Sequence, residues 1–430
     1  MSATLPAALD RRTQIAGQIE ELVREYLALE ESHANGNGGA LYPLALPLFG
    51  AEEIAASLGP LLTRKVTMGT RVLDFEAAFA DYIGVRHAVM VNSGSSANLL
   101  ALACLSAEVR EGGLRPGDEV IVPAVGWSTT VAPILQLGYV PVFVDVDPHT
   151  LNIRAEDLAE AMSPRTRAIM PVHLLGNPVD MPAVESFARE HDLFLIEDTC
   201  EALGSEVAGR RTGSFGHAGT YSFFFSHHIT TVEGGMLVTN DDELANAARS
   251  IRAHGWTRDM TDREEIEQAN PHVDPRFLFA HLGYNLRPME TQAAFGLVQL
   301  GRLDDFNESR RQTAHALLEG LAGLNGELRV VSEQPGGTST WFGFSVIARD
   351  HETRMALARH LGERGIETRP IVSGNLAVQP AFRDRVHRTV GSLPNARELS
   401  ACGLFIGIHP DTERWLLAHV VESFRSFFRA

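Results

Sequence analysis

The sequence predicts an α/β fold, with a large domain built on a mainly parallel sheet covered by helices and a smaller C-terminal α+β domain. Three observations predict it. Apolar runs of strand length alternate with amphipathic helix-length segments from Ala88 to Glu197, a pattern that aligns strands in parallel with helices on both faces. Two more apolar runs, Thr220–Phe225 and Gly235–Thr239, read as strands of the same sheet joined by a tight connection. The 430 residues are too many for one minimal domain and enough for a large domain plus a small one.

Taken in order, residues 6–32 form a predicted helix, because Ile15, Ile19, Leu22, Tyr26 and Leu29 recur at helical spacing. A Gly/Asn/Pro-rich stretch from Asn35 to Pro47 leads to a helix starting near Glu52, so residues 1–50 stand apart as an N-terminal helix and extended segment. The large domain spans 51–304. After the helix near Glu52 comes one over Thr70–Ile83 that carries Val72, Phe75, Phe79 and Tyr82 on one face. Its predicted strands are Ala88–Val91, Glu119–Pro123, Val140–Val144, Ala168–Val172 and Leu193–Glu197, with helices over Ser95–Ala107, Ala155–Ala161 and Pro182–His191 between them. The acidic stretch Arg258–Arg276 interrupts the alternation as an exposed excursion, and a helix over Met289–Leu303 leads out of the domain. In residues 305–430 the pattern predicts a strand at Thr340–Ile347 and helices near 351–364 and 411–428.

Composition narrows the function. Apolar residues make up 44% and charged residues 21%, with a formal net charge of −17 that disfavours nucleic acid as a partner. No apolar run approaches the roughly eighteen residues of a membrane span, and the first residues lack the pattern of a secretory signal, so a cytoplasmic location is expected. Three scattered cysteines, Cys104, Cys200 and Cys402, form no metal-ligand spacing, and no metal site is expected. Lys65 is the only lysine.

Three motifs carry chemistry. Asn92-Ser93-Gly94-Ser95-Ser96-Ala97-Asn98 follows a strand and opens a helix, where small residues and free amides suit an anion; alone it also reads as a plain helix cap. Glu197-Asp198-Thr199-Cys200-Glu201 closes a strand, the end at which open α/β sheets bind ligands. The third is Ser222-Phe223-Phe224-Phe225-Ser226-His227-His228-Ile229-Thr230-Thr231-Val232-Glu233-Gly234-Gly235.

In this order the motifs resemble the nucleotide-sugar aminotransferase (DegT/DnrJ/EryC1/StrS) family, which has the pyridoxal-phosphate (PLP) fold type I. Gly69-Thr70-Arg71, Pro123-Ala124-Val125-Gly126-Trp127 and Gly283-Tyr284-Asn285-Leu286-Arg287 support the likeness, which covers about residues 45–430. At the position of His227 that family normally has the lysine that binds the cofactor covalently. A His-His-Ile-Thr-Thr run without the lysine resembles its sugar 3-dehydratase branch. The resemblance implies removal of the C3 hydroxyl from a nucleoside-diphosphate 4-keto-6-deoxyhexose, with PLP and pyridoxamine phosphate held non-covalently and glutamate as amino donor. His227 is then the base, since imidazole moves protons near neutral pH but makes no stable imine. A related branch carries an iron–sulfur cluster on four cysteines, and three cysteines speak against it.

By the same resemblance Asp198 partners the cofactor ring nitrogen and Trp127 stacks on the ring. Gly94, Ser95 and Ser222 bind its phosphate, and Asn285 reaches that phosphate from a second subunit, which implies a homodimer. Glu201, counted with the cofactor-binding residues, stands where aminotransferases commonly have Gln, and an acidic Glu also appears there in the dehydratase branch. His228 either supports its neighbour or joins a proton relay. His254, Arg369 and Asn375 are candidate substrate contacts, an arginine fork being suited to a diphosphate. Two alternatives stay open: an aminotransferase using another base, and a non-catalytic regulator that retains the fold.

Overall fold

The computed structural model describes residues 5–34 and 40–429. Part of the predicted N-terminal connection, residues 35–39, lies outside the described residues.

The central sheet has eight strands. They are β1 (His87–Val91), β2 (Glu119–Pro123), β3 (Val140–Val144), β4 (Thr166–Ile169), β5 (Phe194–Asp198), β8 (Ala218–Ser222), β9 (Gly235–Thr239) and β14 (Arg388–Thr389), in the spatial order β1-β9-β8-β5-β4-β2-β3-β14. Pairing from β8 through β5, β4, β2 and β3 to β14 is parallel, and β9 alone runs antiparallel to both of its neighbours. This is the mixed, mainly parallel sheet that the alternation predicts. Strands β2 and β3 are buried along their whole length, which explains why they read as unbroken apolar runs.

The remaining strands form two smaller sheets. β6 (Glu206–Val207), β7 (Arg210–Arg211) and β11 (Gly337–Thr338) make a short three-stranded ribbon. β10 (Leu328–Val330), β12 (Gly343–Ala348), β13 (Arg369–Pro370) and β15 (Gly403–Gly407) form an antiparallel sheet whose core includes Phe344, Leu357, Ile406 and Phe424. Tyr42 belongs to that core, and its hydroxyl donates to the Gly407 carbonyl at 3.0 Å. The segment after the N-terminal helix is thus stitched to the small sheet, which brings Leu44 to the edge of the cleft described below.

Several boundaries differ from the sequence expectation for physical reasons. The strand expected over Ala168–Val172 stops at Ile169, two residues before Pro171, which has no N–H for a ladder; Val172 keeps only an isolated bridge to Asp198. The strand expected over Thr220–Phe225 ends at Ser222, and Phe224 and Phe225 turn outward. Helix Ser128–Gln136 has no counterpart in the sequence reading, because its β-branched start and internal Pro133 mask the pattern. Helix Asp242–Ile251 has none either, although Asp241 caps it by accepting from the Glu243 and Leu244 amides. Within Arg258–Arg276 a short helix, Arg263–Ala269, buries none of its residues, in keeping with an excursion, but Met260 beside it is buried. No helix among the described residues is long and apolar enough to cross a membrane.

Candidate active site

A cleft of about 570 Å³ opens at the carboxyl ends of β1, β2, β5 and β8, closed on its far side by Phe342, Arg369 and Phe405. The strand ends deliver one functional side chain after another into it.

From β5 comes Asp198, which is buried. Its Oδ2 accepts from Asn98 Nδ2 at 2.9 Å and Thr130 Oγ1 at 2.7 Å, and its Oδ1 accepts from the Cys200 amide at 3.2 Å. Thr220 Oγ1 donates to Asn98 Oδ1 at 2.6 Å, which decides that the NH₂ end of that amide faces Asp198. Three donors on two oxygens fix the orientation of this side chain.

After β1, Ser93 caps helix Gly94–Cys104, its Oγ accepting from the Ser96 amide at 3.1 Å. A Cβ on Gly94 would lie 2.5 Å from Ser222 Cβ and 2.9 Å from Cys200 Sγ, so only glycine lets this helix start come so close to the end of β8. The start of this helix, the positive end of its dipole, and Ser95 and Ser222 line this part of the cleft, a setting suited to an anion. Trp127, at the start of helix Ser128–Gln136, is 57% exposed and offers a broad aromatic face to the cleft.

The connection after β8 holds His227. Its Nδ1 lies 2.7 Å from the Cys200 carbonyl, which can only accept, so Nδ1 carries the proton and Nε2 keeps its lone pair. Burial, with a smaller push from the Arg310 cation, lowers its pKa to about 4 against the opposing Cys200 carbonyl and Asp198 charge. The ring is half-buried, dry enough for that shift yet open on one side to the cleft. Phe342 stands 5.0 Å from the His227 ring and 5.8 Å from that of His228. His228 does not line the cleft. It is buried, with Nε2 3.3 Å from the Thr340 carbonyl, and burial holds its pKa well below the usual value.

Glu201 lines the same cleft. One of its oxygens accepts from the Leu175 amide at 2.9 Å. Burial, reinforced by the Asp198 charge, raises its pKa to about 7 despite that amide. The environment therefore drives two neighbouring groups apart, His227 toward a free base and Glu201 toward a neutral acid.

No lysine lines the cleft. Lys65 is exposed, on the turn after helix Ala51–Thr63. A strand-end carboxylate, an anion cradle and an aromatic face in one cleft of this fold fit PLP, with no amine there to bind it covalently.

The sequence profile of the DegT/DnrJ/EryC1/StrS aminotransferase family matches residues 48–425. The chain belongs to this family. Among its relatives, GDP-4-keto-6-deoxy-D-mannose 3-dehydratase of Yersinia pseudotuberculosis is 40% identical over 374 residues, 86% of this chain and 94% of the relative. The dTDP-4-dehydro-2,6-dideoxy-D-glucose 3-dehydratase of Saccharopolyspora spinosa is 39% identical over 418 residues, 94% of this chain and 90% of the relative. A crystal structure of GDP-4-keto-6-deoxymannose-3-dehydratase with a trapped PLP–glutamate geminal diamine superposes with a TM-score of 0.83 at 38% identity, covering 89% of this chain and 99% of that one. These relatives within the DegT/DnrJ/EryC1/StrS family are sugar 3-dehydratases, the branch to which the His227 run points.

Of the family positions read from the sequence, Gly94, Ser95, Trp127, Asp198, Glu201, Ser222, His227 and Arg369 meet in the cleft. Three do not. Asn285 is exposed and accepts from Arg287 Nε at 3.0 Å. His254 is exposed on a left-handed turn with φ 68°. Asn375 is buried, its Oδ1 accepting from the Ala377 amide at 3.0 Å as a local cap. The sequence reading assigned no role to Asn98, Thr130 and Phe342. Asn98 and Thr130 lie one helix turn beyond assigned residues, a spacing that could have marked them. Phe342 lies more than a hundred residues from His227, and no local signal links the two.

Proposed function

We propose that this chain is a PLP-dependent dehydratase that removes the C3 hydroxyl of a nucleoside-diphosphate 4-keto-6-deoxyhexose. His227 carries the reading. The cleft gathers Gly94, Ser95, Trp127, Asp198 and Ser222 as groups suited to hold the cofactor, yet where the family has its lysine stands an imidazole held as a free base.

Bound without a covalent link, as the aldehyde or as pyridoxamine phosphate, the cofactor supplies a conjugated ring that takes up an electron pair during the reaction. The chain does the rest. Asp198 holds the ring nitrogen, Trp127 covers a ring face, and the helix start at Gly94 and Ser95 holds the phosphate with Ser222. His227, its orientation fixed by the Cys200 carbonyl, presents a free Nε2 lone pair to the cleft and would serve as the base for a proton lost next to the cofactor ring. Glutamate is the amino donor, a role supported by the glutamate adduct trapped in the solved relative. Arg369 lines the cleft and has no carboxylate partner among the described residues, which suits it to a diphosphate. Asn285, exposed and outside this cleft, is suited to reach the cofactor phosphate of a second subunit in a homodimer, whereas nothing in the cleft supports a substrate contact for His254.

Ammonia is the discriminating product. Incubation with PLP, glutamate and GDP-, CDP- and dTDP-linked 4-keto-6-deoxy sugars should release one ammonia per sugar converted with at least one of the three. Conversion with no ammonia, the nitrogen remaining on C4 of the sugar, would refute the reading in favour of amino transfer.

A further inference from the structure

Loss of a hydroxyl needs an acid as well as a base, because hydroxide is a poor leaving group. We infer that Glu201 is the acid that protonates the departing C3 oxygen; this rests on the dehydratase reading above.

The cleft offers few candidates, and the geometry removes most of them. Asp198 already accepts from three donors and is committed to the ring nitrogen of the cofactor. Arg369 holds its proton too tightly to give it up. Cys200 is half-buried, and desolvation together with the neighbouring Asp198 pushes its thiol pKa up and leaves it a weak acid. Glu233 lies exposed at the rim, open to bulk water. Glu201 remains. It lines the cleft and is tied by only one carboxyl oxygen, to the Leu175 amide. Burial and the neighbouring Asp198 charge keep its proton on until about neutral pH.

The placement of Glu201 relative to the base is the second observation. His227 is anchored to the carbonyl of Cys200, the residue directly before Glu201. One short turn, Asp198 to Glu201, therefore supplies the carboxylate, the carbonyl that orients the base, and the acid. Aminotransferases of the family, which expel no hydroxyl, commonly have Gln here, and an amide cannot donate a proton in this way. The two departures of this chain, His for Lys and Glu for Gln, then answer the two proton transfers of one elimination.

The step balances without any oxidant. His227 Nε2 gains the proton removed from carbon. The C3–O bond breaks with its electron pair going to oxygen, and that oxygen takes the Glu201 proton and leaves as water. Glu201 is left as the carboxylate and His227 as the imidazolium.

The test is Glu201→Gln, which keeps the size of the side chain and an acceptor for the Leu175 amide. Two substrates are compared: the natural 3-hydroxy sugar and its 3-deoxy-3-fluoro analogue, whose fluoride leaves without a strong acid. The variant should lose about 100-fold or more in kcat on the hydroxyl substrate. It should lose far less in fluoride release, so the ratio of the two rates changes by well over tenfold. The high-pH limb of the wild-type profile, near the Glu201 midpoint of about 7, should vanish. Equal losses on both substrates would mean that Glu201 only holds the cofactor. No loss on either would assign the proton to another donor, His227 among them. Both results overturn the inference while leaving the dehydratase reading intact. If the wild type itself forms no 3-deoxy product, both fall together.

Discussion

Replacing Phe342 tests whether dryness keeps His227 a base. The fall of its pKa from 6.5 to about 4 corresponds to at most about 3 kcal/mol against the protonated ring, and water reaching the half-buried side chain reduces that figure. The Phe342 ring, 5.0 Å away, is part of the wall that excludes water. Phe342→Ala should let water in and lift the midpoint by about one pKa unit, to about 5. At pH 5 the wild-type ring would be about nine-tenths free base and the variant ring about half. The stability cost should be about 2–3 kcal/mol, below that of a fully buried Phe, because Phe342 is half-buried. Titration of ¹³C-labelled histidine by NMR reads the midpoint directly, with His227→Asn identifying the resonance. Phe342→Leu, which stays apolar, is the control and should remain near 4. A midpoint near 4 in Phe342→Ala, or an equal rise in Phe342→Leu, would show that the wall does not set the pKa.

Other consequences are as definite. His227→Lys restores an amine at the cofactor position and should shift the product toward the 4-amino sugar, with the ammonia yield per sugar falling several-fold. Asn98→Ala removes a donor from Asp198 and frees the Thr220 hydroxyl, so stability should fall by about 1–3 kcal/mol and PLP should bind more weakly by fluorescence titration. His227 and His409 are both pushed by burial to about 4, below the unfolded value, so the unfolded chain takes up protons first. The stability they contribute is complete above about pH 6.5 and is lost as pH falls from there toward 4. The thermal midpoint should therefore drop between pH 7 and 5. His409→Gln, which keeps a donor for the Pro43 carbonyl, should lessen that drop.

Much of the site was legible because its chemistry is local in sequence. Asp198 ends an apolar strand, Gly94 opens a helix after one, and His227 stands in a run whose order is specific to the family. The fold was legible for a related reason: fully buried parallel strands such as β2 and β3 can only be apolar runs. What stayed hidden depends on contacts across the chain. Phe342 meets the two histidines only after β12 and the loop before it pack on the large sheet, and Tyr42 joins the small sheet from the other end of the chain. The pKa contrast between His227 and Glu201 was equally illegible, because burial sets it and the residue types do not.

The central claim is that His227 works in an elimination. Its most direct test is the NMR spectrum of the sugar made by the wild-type enzyme from a nucleotide-linked 4-keto-6-deoxyhexose, PLP and glutamate. A methylene at C3 beside a C4 ketone is the predicted result. An intact C3 hydroxyl with an amine at C4 would contradict the account.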